Sequence, residues 1–108
     1  MAGLVKHSQN EVLVSSDFDK TFQACVFSGE RIGKVKQQSK TLGHISINIP
    51  ASLFPPRNAT NLKISIKPTD GGCIVSCVAE SFDGLVGVGS AHKSIDAFYN
   101  VLTSYLSI

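Results

Sequence analysis

Two stretches of strict alternation constrain this chain more than any other feature. Ile45, Ile47 and Ile49 alternate with His44, Ser46 and Asn48, and Leu62, Ile64 and Ile66 alternate with Lys63, Ser65 and Lys67. A period of two lets a strand bury one face and wet the other. Pro50 closes the first run, because proline cannot donate to a ladder. The second run, Thr60 to Lys67, leads into Pro68–Gly72, a turn cluster whose Asp70-Gly71 pair signals a hairpin. Beyond it, Cys73 to Glu80 places Cys73, Val75, Cys77 and Ala79 on one face. Ile74 and Val78 then fall on an otherwise polar face. Hairpin-linked strands of this kind pair antiparallel, and their single apolar face must be covered.

The cover is found at both ends of the chain. Residues 1–10 mix small and polar types and read as a flexible tail, leaving 11–108 as a single domain. Glu11 to Ser15 reads as a strand, and Ser16 offers a hydroxyl N-cap with Asp19 placed to complete a capping box. Phe18, Phe22, Cys25 or Val26, and Ile32 then recur near helical spacing, and Gly33 is the expected stop. Lys34 to Ser39 makes a strand and Lys40 to Gly43 a turn. Ala51 to Ala59 reads as a loop with Leu53 and Phe54 tucked toward the core. A glycine-rich connection, Phe82 to Gly89, precedes Ser90, which caps a final helix. Ala91, Ile95, Phe98, Tyr99, Leu102, Tyr105 and Leu106 form the apolar stripe of that helix. The expected fold is α+β, a two-layer sandwich. Its sheet is mainly antiparallel, in the order β-α-β-β-β-β-α, with two helices on one face.

That order, together with the Gly33-Lys34-Val35 step into a strand and the long closing helix, resembles small bacterial helix-grip-like domains of uncharacterised function. The likeness covers about residues 11 to 107 and implies a fold, not a reaction.

Charge and composition narrow the function classes. A net charge of +2 with scattered lysines gives no phosphate-tracking surface, so no nucleic-acid partner is expected. No stretch approaches the roughly 20 apolar residues of a membrane span. The first ten residues lack a leader-like apolar run, so the expected compartment is the cytoplasm, with reduced thiols. Cys73 and Cys77 share a strand face about 13 Å apart, too far for one disulfide, and with Cys25 they read as small buried hydrophobes. His7, His44 and His92 each lack a neighbouring ligand or acid, and no paired carboxylates occur; no cofactor or metal is called for.

Two functional readings remain. The first is a non-enzymatic binding or protein-interaction module that holds an apolar ligand between helix and sheet. Leu53, Phe54, Ile74 and Val78 are its contact patch, and a homodimer or another protein its partner. The alternative is an anion- or nucleotide-binding domain or small enzyme using Gly87, Gly89, Ser90 and His92. Those residues lead into a helix N-terminus, where unpaired N–H groups favour anions. Against it, Ser90 stands where a phosphate loop needs lysine, and His92 where a dinucleotide loop needs its third glycine.

Overall fold

The computed structural model describes residues 5–50, 52–53, 56–57, 59–82 and 90–106. At 5–10, 52–53, 56–57, 81–82 and 90–92 it describes the backbone. The described elements are β1 (Val5–Val14), α1 (Phe18–Ile32), β2 (Lys34–Ser39), β3 (His44–Ile49), β4 (Ser52–Leu53), β5 (Pro56–Arg57), β6 (Thr60–Thr69), β7 (Gly72–Phe82) and α2 (Ser90–Leu106). Five strands form one antiparallel sheet in the spatial order β1-β7-β6-β3-β2. Those strands and the two helices follow the expected order β-α-β-β-β-β-α. The connection between β3 and β6, expected as plain loop, carries a two-residue ladder, Ser52–Leu53 against Pro56–Arg57.

The alternation read from the sequence is the alternation of burial. Ile45, Ile47 and Ile49 on β3, Leu62, Ile64 and Ile66 on β6, and Cys73, Val75, Cys77 and Ala79 on β7 are all buried under the helices. α1 packs over β2, β3 and β6, while α2 packs over β1, β6 and β7 and against α1. Ile95, Phe98 and Leu102 of α2 complete the core.

Four local expectations shift. β1 starts at Val5, so the backbone assigned to a tail continues the strand, in register with β7 as far as Val5↔Phe82. The polar run there hid it, because backbone ladders do not depend on side-chain polarity. The hairpin loop is Asp70-Gly71 alone, since Thr69 pairs with Gly72 and Pro68 with Cys73. Proline is tolerated at 68 because β3 pairs with β6 only as far as Ser65, which frees that edge. Gly72 has a φ of +156°, and a Cβ there would run into the Val14 carbonyl, so the turn can close against β1 only with glycine.

The N-cap of α1 is Asp17 rather than Ser16. The Asp17 carboxylate accepts from the Lys20 N–H at 2.7 Å and its carbonyl from the Thr21 N–H at 3.0 Å. The buried face of α1 also differs from the expected stripe: it is Thr21, Phe22, Ala24, Cys25, Ser28 and Gly29. Small side chains bring this helix close to the sheet. A Cβ on Gly29 would sit 2.6 Å from Ile47 Cδ1. Phe18, Val26 and Ile32 are displaced to the margins of the core, half-buried.

Candidate functional site

Of the residues singled out in the sequence, Gly87, Gly89 and Phe54 lie outside the described residues. Ser90 and His92 stand in the first turn of α2, and Leu53 in β4. Ile74 and Val78 are half-buried on the outer sheet face, Ile74 between Leu13 and Lys67, Val78 between Gln9 and Lys63. Leu53 belongs to the connection beside Thr60, which pairs with Ser81 at the other end of β7.

Among the described residues, Leu62, Phe98, Val75 and Cys77 pack between the layers with no exposed surface, and the three thiols are free and buried. Burial pushes the Cys25 thiol up from 9.0 to about 12, with smaller contributions from Cys77 and Cys73; burial alone does the same to Cys77. Such thiols stay protonated and unreactive at neutral pH. Tyr99 reaches in from α2 and donates its hydroxyl proton to the Val75 carbonyl at 3.2 Å. Burial, then the neighbouring Cys77, Cys25 and Glu11, raise its pKa above that of ordinary tyrosine. Among the described residues no group of His, Cys, Asp and Glu could hold a metal ion.

Among the described residues, one apolar concavity lies at the margin of the core, where displaced apolar residues of α1 meet the sheet edge. Phe22, Val26 and Phe27 of α1 floor a groove of about 290 Å³ that opens between this helix and β2. Gln23 and Gln38 present amides at its rim, and a 3.0 Å ion pair between Lys40 and Asp19 closes one end. Phe18 stacks on Phe22 at 6.0 Å between ring centroids and stiffens the floor. Phe27 is 43% exposed and leans on Tyr105 of α2 with centroids 5.8 Å apart. On its far side a smaller groove of about 180 Å³ runs between the helices, along Lys20, Gln23, Tyr105 and Leu106. Sequence reasoning missed Phe27, Gln23 and Gln38 as site residues. The available signal was an apolar arc one residue too wide at Val26-Phe27, which a single buried stripe cannot absorb.

No protein-family model matches the chain, and no curated protein matches it. Solved structures do share its fold. An uncharacterised protein from Rhizobium leguminosarum superposes with a TM-score of 0.56 at 9% identity, over 95% of this chain and 96% of its own. A Chromobacterium violaceum protein gives 0.55 at 9% identity, over 94% and 97%. Ara h 8.0201 gives 0.52 at 13%, over 96% and 99%. The architecture they share with this chain is consistent with a helix-grip-like fold. Identities this low establish the architecture alone. Among the described residues, no helix is long and apolar enough to cross a membrane.

Proposed function

We propose that this chain is a non-enzymatic binding module that takes a small apolar ligand into the groove between α1 and β2. The observation that carries this reading is the composition of the groove: an aromatic and aliphatic floor from Phe22, Val26 and Phe27, with amides at the rim from Gln23 and Gln38. Ligand sites in general are apolar concavities with a few placed polar groups, of roughly 300–1,000 Å³. At about 290 Å³ this one suits a small, flat molecule. A ligand with an aromatic body and one carbonyl or hydroxyl matches it best, the body lying on Phe27 and the polar group meeting an amide.

The test is a fluorescence titration with a naphthalene-sulfonate probe and a panel of small aromatic alcohols, each followed by a thermal melt. Binding to the native state raises the melting temperature, because a ligand selective for the folded chain stabilises it by RT ln(1 + [L]/Kd). Phe27→Ser should abolish both signals while lowering the ligand-free melt only modestly, by about 1–2 kcal/mol of stability, since Phe27 is 43% exposed and its main partner is Tyr105. Binding that survives Phe27→Ser would place the ligand elsewhere and refute the assignment. A melt that instead responds to phosphate or nucleotide, and loses that response in Ser90→Ala or His92→Ala, would replace it with the anion site before α2.

A further inference from the structure

The sheet ends in β1 and β2, each paired on one side only among the described residues. An unpaired edge is a template for another strand, and proteins blunt such edges with charge, bulges and short length. β2 is blunted in all three ways. It has six residues, exposes Lys34 and Lys36, and breaks register between Val35 and Gln37. β1 carries charge at Lys6 and Glu11, but it is neither short nor broken by a bulge. Its ten residues pair with β7 in one unbroken register, without a proline, and Leu13 on its outer face is 67% exposed beside Ile74.

We infer that β1 is the interface for a second copy of this chain. The two copies pair antiparallel about a two-fold axis at Gln9 and join two five-stranded sheets into one. The register follows from the strand itself. Edge strands that continue a sheet keep outer positions opposite outer positions, because side chains alternate with a period of two. Glu11 and Leu13 are exposed while Val12 and Val14 turn inward, so positions 5, 7 and 9 belong to the outer set.

Centring the pair on Gln9 sets Glu11 opposite the histidine at 7 and Leu13 opposite the valine at 5, each twice by symmetry. On the inner side it sets Ser8 opposite Asn10 and Val12 opposite Lys6. Centring on Ser8 would put Glu11 opposite Val5, and centring on Asn10 would put Leu13 opposite His7. Of these, the Gln9 register alone matches acid with base and aliphatic with aliphatic across the outer face, the pairs that stabilise a ladder. Glu11 is already held on that face by the Ser76 hydroxyl, which donates to its carboxylate at 3.0 Å. The partner's position 5 would cover the exposed Leu13. This edge lies across the sheet from the groove beside β2, so the two assignments stand or fall separately.

Light scattering over a concentration series tests the interface directly, and the expected mass climbs from one chain to two. Gln9→Cys should form a disulfide-linked dimer under oxidising conditions. Directly opposed residues place their Cα atoms about 4.5–5.5 Å apart, within disulfide reach. Ser8→Cys should not, because its two copies would lie on a diagonal about 7–8 Å apart. The wild type is a clean background, since Cys25, Cys73 and Cys77 are all buried. Glu11→Lys should weaken the dimer at least about tenfold with a native circular dichroism spectrum, and adding His7→Glu should restore it. A one-chain mass at every concentration would overturn the inference. So would a dimer indifferent to Glu11→Lys, or cross-linking through Ser8→Cys instead of Gln9→Cys.

Discussion

Raising the pH should unfold this protein through its buried thiols. Cys25 and Cys77 are pushed from 9.0 to about 12 in the folded chain, burial being the largest cause for both. In the unfolded chain each thiol returns to its ordinary value and ionises near pH 9. Between pH 9 and 12 the folded state therefore binds more protons than the unfolded state, and stability falls as pH rises. Below pH 9 both states are protonated and the stabilisation is fully present. At pH 10 the unfolded thiol is about nine-tenths ionised while the folded one is almost wholly protonated. The loss is then between about 1 and 2 kcal/mol per thiol, on the order of 3 kcal/mol for the pair. Against a typical total of about 5–15 kcal/mol, that is a large fraction.

Urea denaturation at pH 8, 9 and 10, under reductant to prevent oxidation, measures this as a falling midpoint at constant slope. Cys77→Ala removes one of the two protons, so its midpoint should fall about half as steeply between pH 9 and 10, whatever its stability at pH 8. Tyr99 adds its own loss only at higher pH, because an ordinary tyrosine ionises near pH 10. A midpoint that stays flat from pH 8 to 10, or a Cys77→Ala variant with the full wild-type slope, would show that these thiols are not shielded as the packing requires.

Other substitutions probe the same architecture. Thr21→Val should stabilise the protein by about 1 kcal/mol in thermal or urea melts. The Thr21 hydroxyl is fully buried and has no hydrogen-bond partner among the described residues, and such a group costs roughly 1–3 kcal/mol. Asp17→Ala should cost about 1 kcal/mol by removing the N-cap of α1, with a loss of helical circular dichroism signal on mild heating. Phe98→Ala should cost about 3–5 kcal/mol, because the ring has no exposed surface and its removal leaves a cavity between α2 and the sheet.

The sheet was legible because its signal is local. Each inward residue of β3, β6 and β7 follows from a period of two, and Asp70-Gly71 sets the hairpin that aligns β6 with β7. The start of β1 was not legible. Between Lys6 and Asn10 nothing alternates, and the strand exists there because β7 extends to Phe82 and offers it a partner. Strand length is set by the neighbour in such cases, and no reading of one segment can recover it. The cap of α1 failed by one residue for a related reason: Ser16 and Asp17 can both accept from a first-turn N–H, and choosing between them needs the direction in which the chain leaves β1.

The groove was hidden by the packing of α1. A helical stripe of large residues at Phe18, Phe22 and Val26 predicts the buried face only if the helix stands a full side chain away from the sheet. Here Ala24, Cys25, Ser28 and Gly29 face the strands, and the near-contact between Gly29 and Ile47 sets a closer approach. Turning the small residues inward carries Val26 and Phe27 outward to the rim, where Gln38 and Lys40 of the neighbouring strand and turn wall them in. The same small residues that tighten the core thus leave apolar surface unused at its edge. That surplus at the margin of the described core is the apolar surface from which the proposed ligand groove is built.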